Sequence, residues 1–321
     1  VIFTGSATES NNLALRGSVR KSPRPRLIIS AIEHKSVLET ARDLERDGME
    51  VVYLPVDKNG VVDLKKIEDS LDENTISVSV MYGNNVTGVI QPIAEIANMI
   101  RNFKISSPVF HTDAVQAFQY LNCNVDDLGV NMMTLSSHKI YGPKGAGLLF
   151  VRKHEKNIQL PITNYQLQPI TTGGGQEFGL RSGTENVPAI VGFAKAMEEA
   201  IKIREKESKR VEKLKELLWR EIKKKAPEAI RNGEGAKTLP HILNVAFPNA
   251  SKNLVARLDA LGLAVSAGAA CSTRSQEASY VLTAMGIPKE LARRSIRFSL
   301  GRGTTKTEIQ KAAKAVRQAL A

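Results

Sequence analysis

Residues 136–147 read Ser-Ser-His-Lys-Ile-Tyr-Gly-Pro-Lys-Gly-Ala-Gly and follow an apolar run, residues 130–135, that predicts a buried strand ending in a polar loop. In an open α/β sheet, ligands bind beyond the carboxyl ends of the strands. Lys139 in this loop can form a Schiff base, while Ser136 and His138 can donate hydrogen bonds to an anion. A solvated basic loop is the alternative, because short motifs often match by chance. The rest of the chain has to decide between the two.

Apolar segments of strand length alternate with helical segments through the first half of the chain. The predicted strands are residues 1–4, 27–30, 51–54, 76–81, 109–112, 132–136 and 147–151. The predicted helices between them include residues 36–47, 64–72 and 93–103. This alternation is typical of a mostly parallel sheet covered by helices on both faces, so the predicted fold class is α/β.

The second half of the chain predicts a smaller domain. A loop-rich stretch, residues 160–183, precedes a long amphipathic helix that starts near Pro188 and runs toward Pro227. Its predicted buried residues, at helical spacing, are Val211, Leu214, Leu218 and Ile222. The elements predicted beyond it are strands at 242–247, 264–266 and 295–300 and helices at 254–261, 278–285 and 307–321. We therefore expect a large domain at residues 1–205 and a smaller α+β domain at residues 206–321.

The composition is ordinary for a globular protein: 321 residues, 42% hydrophobic and 24% charged, enough for one large or two medium domains. No run of eighteen apolar residues appears, which argues against a membrane span. Cys123 and Cys271 are the only cysteines, which argues against a disulfide scaffold and favours a reducing compartment, the cytoplasm. The chain begins at Val1 inside a predicted strand, so we expect a fragment, from which a signal peptide cannot be judged.

The formal net charge is +12, from 45 basic and 33 acidic residues. Such a balance can indicate nucleic-acid binding or an acidic protein partner. However, the basic residues are densest at 202–225, where they alternate with glutamates on an amphipathic helix. That pattern more often marks a solvated helix face, so we expect no direct nucleic-acid contact.

Polar groups follow several predicted strands. Residues 5–8, Gly-Ser-Ala-Thr, precede a helical segment and can present backbone N–H groups and the Thr8 hydroxyl to an anion, or simply cap the helix. Asp113, with Gln116 three residues later, can meet a protonated ring nitrogen or can act as a helix cap. His34 can stack on a planar cofactor or move protons, or it can be structural.

Three groups elsewhere can also carry chemistry. Residues 84–85, Asn-Asn, can hydrogen-bond a ligand or make a turn. Cys271 lies in a loop of small residues with Arg274 nearby, which favours an exposed thiolate nucleophile. Arg297 alternates with apolar residues, so its guanidinium can bind a substrate carboxylate, with a structural ion pair as the alternative.

Together these residues resemble one family. The chain is similar to the cysteine desulfurases of the NifS/IscS type, which are fold-type-I enzymes dependent on pyridoxal 5'-phosphate (PLP), and the resemblance covers essentially all 321 residues. The motifs that carry it are residues 7–11 (Ala-Thr-Glu-Ser-Asn), 33–35, 84–85, 111–116 (His-Thr-Asp-Ala-Val-Gln), 136–145, 173–177, 181–184, 269–271 and 295–302. It implies an aspartate-aminotransferase-like fold with a large PLP-binding domain and a small domain that carries the cysteine loop.

The resemblance also implies a role for each site residue. Lys139 would hold PLP covalently, Asp113 would pair with the ring nitrogen, His34 would stack over the ring, and Gln116 would bind the ring oxygen. Asn85 would contact cofactor and substrate. The phosphate would be bound by Ala7 (through its backbone), Thr8, Ser136 and His138, and by Thr184 of a neighbouring subunit in a homodimer. No metal site is implied.

The implied reaction converts L-cysteine to L-alanine. Arg297 would bind the substrate carboxylate, and the Cys271 thiolate would attack the substrate sulfur to form a persulfide. The sulfur would then pass to an acceptor, either an iron–sulfur scaffold protein or a carrier for tRNA thiolation. Competing hypotheses are a selenocysteine lyase, another fold-type-I lyase, or an inactive binding partner in a sulfur-transfer complex.

The sequence departs from the family pattern at a few positions. Val86 stands where the family usually has Glu, Phe178 where it has Arg, and residues 5–6 reverse the usual Ser-Gly. None of these removes a group that the chemistry requires. Family members also carry a segment before the position of Val1, so we expect that segment to be missing here.

Overall fold

A buried sheet of mostly parallel strands underlies the first half of the chain in a computed structural model, which describes residues 1–18, 24–103, 105, 108–153, 167–251, 253–267 and 278–320. Its strands are β1 (Ile2–Thr4), β2 (Arg26–Ser30), β3 (Glu50–Leu54), β4 (Thr75–Ser79), β5 (Val109–Asp113), β6 (Met132–Ser136) and β7 (Gly147–Val151). Their order across the sheet is β1-β7-β6-β5-β4-β2-β3. The predicted α/β class is confirmed.

The strand directions decide where the strand ends meet. Strand β2 pairs in parallel with β3 and β4, and β4, β5 and β6 continue in parallel. Strand β7 is antiparallel to both β6 and β1, so β1 runs in the same direction as β6. Every residue of β4, β5 and β6 is buried, as expected for strands covered on both faces.

Helices connect these strands wherever apolar residues recur at helical spacing. They are α1 (Ala7–Gly17), α2 (Lys35–Arg46), α3 (Leu64–Ser70), α4 (Ile93–Asn102) and α5 (Val125–Leu128). In α4, for example, Ile93, Ile96, Ala97 and Ile100 are buried, while Glu95 and Asn98 are exposed.

The chain divides into two compact units. The first comprises Val1–Pro55, Val62–Gly83 and Gln91–Lys202, and the second comprises Val56–Val61, Asn84–Ile90 and Ile203–Ala321. The second unit contains an antiparallel sheet in the order β10 (Ser295–Ser299), β9 (Ile242–Ala246), β8 (Ile230–Arg231). Its helices include α7 (Leu254–Ala260), α8 (Tyr280–Ala284), α9 (Lys289–Arg293) and α10 (Lys306–Leu320).

The strand predicted at residues 264–266 is wrong. Only Ser266 pairs there, in an isolated antiparallel bridge with Arg297. Two backbone hydrogen bonds link these residues, 2.7 Å from Arg297 N–H to the Ser266 carbonyl and 3.3 Å in the other direction. A single bridge of this kind does not extend the sheet.

The long helix α6 (Val187–Lys225) buries a lysine on its apolar face within the second unit. Val211, Leu218 and Ile222 are buried as their spacing predicts, whereas Leu214 is only half-buried and Lys215 is fully buried. The Lys215 ammonium donates to the Leu239 carbonyl at 3.0 Å and the Thr238 hydroxyl at 2.9 Å, and it pairs with Glu212. Burial lowers the pKa of Lys215, and these partners compensate for its desolvation.

None of the described helices has the length and apolarity needed to cross a lipid bilayer.

Candidate functional site

The predicted cofactor residues of the first unit lie along one edge of the large sheet. Strands β1, β2, β5 and β6 run in the same direction, so the residues that follow them lie at the same edge. This is the edge at which ligands bind in open α/β sheets. The residues are Ala7 and Thr8 after β1, His34 after β2, Asp113 and Gln116 at and after β5, and Ser136, His138 and Lys139 at and after β6.

Helix α1 presents its N-terminus at this edge. The Ser6 hydroxyl caps the helix by accepting the Glu9 N–H at 3.2 Å. Glu9 in turn accepts the Gly5 N–H at 2.7 Å and an Arg181 N–H at 2.7 Å, so its charge is neutralised. Ala7 and Thr8 lie in the first turn, whose N–H groups have no acceptor within the helix. The helix-cap alternative for residues 5–8 is therefore confirmed, because Ser6 caps α1. Anion binding by the first turn stays a prediction.

Gly147 allows β7 to pass directly beneath this turn. A Cβ atom at residue 147 would lie 2.4 Å from the Ser6 carbonyl carbon and 2.7 Å from the Ala7 nitrogen. Any side chain there would displace the start of α1. The loop that carries Lys139 thus ends on a glycine that the close approach of β7 to the start of α1 requires.

Lys139 lies on a short 3-10 turn, Ser137–Ile140, directly after β6. Ser137 and Ile140 are buried and anchor this turn, while the Lys139 side chain is exposed. The next residue after the turn, Tyr141, has a left-handed backbone with φ of 69°. The chain therefore leaves the strand abruptly, and the lysine is held at the sheet edge.

His138 and Ser136 contact each other on the same loop, with 2.9 Å between His138 Nδ1 and the Ser136 hydroxyl. Partial burial lowers the pKa of His138, and the charges of Lys139 and Lys144 lower it further. The imidazole is therefore neutral at neutral pH and carries one ring N–H. One hydrogen is used in the contact between the two side chains, so the pair can offer one donor to an anion, either the His138 Nε2–H or the Ser136 hydroxyl.

Asp113 is a buried carboxylate whose oxygens are both hydrogen-bonded. It is only 5% exposed; Oδ2 accepts from the Asn11 amide at 2.8 Å and Oδ1 from the Val115 N–H at 3.0 Å. Within the described part of the chain, no Lys, Arg or His forms an ion pair with it. A buried carboxylate without a cation is costly. This arrangement fits a cationic ligand, such as a protonated ring nitrogen.

His34 is the N-cap of α2, and this role fixes its tautomer. Its Nδ1 accepts the Ser36 N–H at 3.1 Å and lies 2.8 Å from the Ser36 hydroxyl. Because Nδ1 is an acceptor, a neutral His34 ring carries its proton on Nε2. The half-buried imidazole can therefore both stack on a ligand and offer one N–H.

The sequence reasoning assigned no role to Glu33, which is fully buried beside this site. Its Oε1 accepts from the Ser30 hydroxyl at 2.6 Å and the Met81 N–H at 2.7 Å. Burial raises the pKa of Glu33 to about 8, and the nearby charge of Asp113 adds to the increase. Glu33 is therefore mostly protonated at neutral pH. The sequence signal that could have drawn attention to Glu33 was its position between the apolar Ile32 and the capping His34.

Replacing Glu33 by glutamine should remove a pH-dependent loss of stability. Between about pH 4.5 and 8 the folded protein keeps a proton on Glu33 that the unfolded chain releases, so stability falls as the pH rises through this window. The loss is on the order of 4 kcal/mol over this interval. Glutamine stays neutral, and its oxygen can accept from Ser30 and Met81, so Glu33→Gln should be more stable than wild type at about pH 8.

Urea unfolding at about pH 5 and about pH 8 measures this difference. Glu39→Gln, at an exposed position on α2, is the matched control and should follow the wild-type pH dependence. Parallel pH dependences for Glu33→Gln and wild type would contradict the assigned protonation state.

Asn84 and Asn85, in the second unit, have different roles. The Asn84 Oδ1 accepts the N–H groups of Val86 and Thr87 at 2.8 Å and 2.9 Å, so Asn84 makes the turn. The Asn85 side chain is also buried, but its Oδ1 has no hydrogen-bond partner among the described residues. A buried acceptor without a partner is typical of a ligand site.

The two predicted substrate-binding residues meet in this unit. The guanidinium of Arg297, on β10, donates to the Asn85 backbone carbonyl at 2.8 Å. The Arg297 backbone lies opposite Asn244 in the antiparallel pairing of β10 with β9. The structure therefore brings together a cation and an amide that the sequence separates by more than two hundred residues.

Two predicted site residues, Thr184 and Cys271, remain to be placed. Thr184 is exposed and lines a cavity of about 180 Å³ with residues that include Thr4, Gly5 and Arg181. Cys271 falls in residues 268–277, outside the described part of the chain.

The departures from the family pattern are accommodated locally. Val86 is fully buried, and its carbonyl accepts from the Asn244 amide at 3.0 Å. Phe178 is 64% exposed and has a left-handed backbone with φ of 64°.

Comparison with known proteins identifies the family. The aminotransferase class-V family matches residues 1–312. The cysteine desulfurase IscS of Dictyoglomus turgidum is 41% identical over 312 residues, which cover 96% of this chain and 76% of that protein. A solved structure described as a NifS-like protein superposes with a TM-score of 0.87 at 35% identity, covering 99% of this chain and 81% of its own.

A second solved structure, SspA in complex with cysteine, has a TM-score of 0.78 at 36% identity and covers 93% of this chain and 80% of its own. The matches agree in sequence and in fold over nearly the whole length. The chain therefore belongs to the aminotransferase class-V family and, within it, to the cysteine desulfurases of the NifS/IscS type.

Proposed function

We propose that the protein is a PLP-dependent cysteine desulfurase that converts L-cysteine to L-alanine and leaves the sulfur as a persulfide on Cys271. The observation that supports this most directly is Asp113, a buried carboxylate with no ion-pair partner among the described residues, at the same sheet edge as the Lys139 turn. An enzyme of this family needs an anion at the cofactor ring nitrogen and an amine at its aldehyde. The relationship to SspA, solved with cysteine, supports cysteine as the substrate.

The residues at the sheet edge fit PLP. Lys139 would hold it covalently, with Asp113 at the ring nitrogen, His34 on the ring face and Gln116 at the ring oxygen. The phosphate would accept from the first turn of α1, at Ala7 and Thr8, and from Ser136 and His138. When bound, PLP supplies an electron sink that stabilises negative charge at the substrate α-carbon.

The chain's own residues then orient the substrate and move its sulfur. The planar guanidinium of Arg297 binds the cysteine carboxylate, while the Asn85 amide contacts substrate and cofactor. The Cys271 thiolate attacks the substrate Sγ: a sulfur–sulfur bond forms, and the carbon–sulfur bond breaks with its electrons remaining on the carbon. That carbon takes up a proton and becomes the methyl group of alanine.

The Cys271→Ser variant tests the proposed persulfide step. Cys271→Ser should lower alanine formation by at least about 100-fold, because a hydroxyl at neutral pH is a far weaker nucleophile than a thiolate. The absorbance of bound PLP should be unchanged. Alanine and sulfide are quantified with cysteine and a reducing thiol present.

Cys123→Ala is the matched control, since Cys123 is the buried cysteine of the first unit. It should retain activity within about twofold, as a small change away from the site. Alanine production by Cys271→Ser at the wild-type rate would refute the persulfide step. Faster turnover of selenocysteine than of cysteine, with Cys271 dispensable, would instead support a selenocysteine lyase.

We also propose that the active protein is a homodimer in which Thr184 contacts the phosphate bound by the partner subunit. The smaller C-terminal domain, residues 206–321, would carry the Cys271 loop to a sulfur acceptor. That acceptor would be an iron–sulfur scaffold protein or a carrier for tRNA thiolation.

A further inference from the structure

Asn11 is a buried polar residue in the centre of the candidate cofactor site. It lies on the buried face of α1, with Leu13, Ala14 and Leu15, and is 0% exposed. Its amide nitrogen donates to the Asp113 carboxylate at 2.8 Å and to the Ser36 hydroxyl at 2.8 Å. Both of its N–H bonds are therefore used. The orientation of the amide is defined, since an ionised carboxylate can only accept.

This amide determines how Asp113 is presented. The carboxylate receives one donor on each oxygen, Asn11 on Oδ2 and the Val115 N–H on Oδ1. Two donors on different oxygens stop the group from rotating about its Cβ–Cγ bond. Each oxygen keeps a lone pair for a further donor. Without Asn11, one oxygen would be free and the carboxylate plane would no longer be held.

The same amide acts on His34 through Ser36. The Ser36 oxygen accepts from Asn11, so its own proton can point to His34 Nδ1, 2.8 Å away. The Ser36 N–H donates to the same Nδ1 at 3.1 Å. Because both donors point to Nδ1, the hydrogen of a neutral His34 ring lies on Nε2. Asn11, Ser36 and His34 therefore form a directed chain of hydrogen bonds that begins at the residue bound to Asp113.

We propose that Asn11 is a positioning residue that fixes the Asp113 carboxylate and the His34 imidazole at the same time. The inference rests on the proposed function, in which these two groups contact the ring of PLP. Asn11 itself does not need to touch the cofactor. It links Asp113, which would contact the ring nitrogen, to His34, which would contact the ring face.

The first test is the affinity of the full chain for PLP, measured by titration of the cofactor-stripped protein. Asn11→Ala should raise the Kd about tenfold or more, since it removes a hydrogen bond to a charged group. Asn11→Leu keeps a similar volume but has no donor, so it should bind at least as weakly as Asn11→Ala. Asn98→Ala, at an exposed position on α4, is the control and should bind within about twofold of wild type.

The ranking of the two variants separates positioning from volume filling. A residue that only fills space would leave Asn11→Leu close to wild type and Asn11→Ala as the weakest binder. That result, or equal affinities for both Asn11 variants and Asn98→Ala, would overturn the proposal. Thermal unfolding of each variant confirms that the compared proteins are folded.

The second test uses the histidine side chains of the cofactor-free protein, labelled with nitrogen-15. The His34 resonances should show the Nε2–H tautomer in wild type and should move in Asn11→Ala and in Ser36→Ala. His111, which lies between Ser79 and Thr134 in the sheet, should stay unchanged and reports that the fold is intact. Unchanged His34 resonances in Asn11→Ala would overturn the proposal.

The two tests also separate this proposal from the proposed function. If wild type binds no PLP, the proposed function fails, whereas the His34 spectrum still reports on the Asn11 network. If wild type binds PLP and the Asn11 variants behave like Asn98→Ala, only the role of Asn11 fails.

Discussion

Replacement of Lys139 by alanine should abolish covalent attachment of PLP and lower the rate of alanine formation by at least about 1,000-fold. Lys139 lies on the 3-10 turn after β6 with an exposed side chain. The turn is anchored by the buried Ser137 and Ile140, so the loss of the lysine side chain should leave the fold intact. The effect is therefore chemical, and the absorbance band of the covalently bound cofactor measures it directly.

Lys144→Ala is the matched control for this prediction. Lys144 is an exposed lysine in the same loop, and it also contributes positive charge near His138. The variant should keep the absorbance band and activity within about twofold, as a surface substitution. A Lys139→Ala protein that retains the band would place the covalent attachment on another lysine and would refute the assignment of this loop.

Asparagine at position 113 should lower kcat/KM for cysteine by at least about 100-fold, about 3 kcal/mol of transition-state stabilisation. The amide cannot supply the negative charge that holds a proton on the cofactor ring nitrogen. It also carries an NH₂ group where Asp113 has a second acceptor, and that group would face either the Asn11 amide or the Val115 N–H. One of these donors would lose its partner.

Steady-state kinetics measure the fall in kcat/KM, and titration with PLP measures the affinity for the cofactor. Asp126→Asn is the control, because Asp126 is an exposed carboxylate on α5 that pairs with Arg152. We expect Asp113→Asn to fold and to bind PLP more weakly, and Asp126→Asn to match wild type. A kcat/KM within about tenfold of wild type for Asp113→Asn would remove the ring-nitrogen role from this carboxylate.

The sequence predicted the sheet because its strands are local features. Residues 27–30 and 132–136 are mostly apolar at consecutive positions, which indicates burial on both faces, and the structure buries them so. The sequence did not predict the order of the strands or the reversal of β7. Those depend on pairing between segments far apart in the chain, such as β1 with β7. The strand predicted at residues 264–266 is wrong for the same reason. Only Ser266 pairs with another segment, and a single bridge does not make a strand.

Helix periodicity gave the position of α6 but not its buried lysine. Spacing alone predicted burial of Leu214, whereas Lys215 takes the buried position. The lysine is stable there because the Thr238 hydroxyl and the Leu239 carbonyl, distant in sequence, accept its hydrogen bonds. No local pattern contains that information.

The amino-acid sequence was enough to predict which chemical groups follow each strand. They are the lysine and histidine after β6, the aspartate at the end of β5, the histidine after β2 and the small-residue turn after β1. Residue type and distance along the chain suffice for that, because parallel strands place their carboxyl ends at one edge. The contacts that hold these groups depend on tertiary packing. The hydrogen bonds from Asn11 to Asp113 and Ser36, and from Arg297 to Asn85, join positions far apart in the chain. The protonation of Glu33 likewise follows from burial, which depends on every element packed around it.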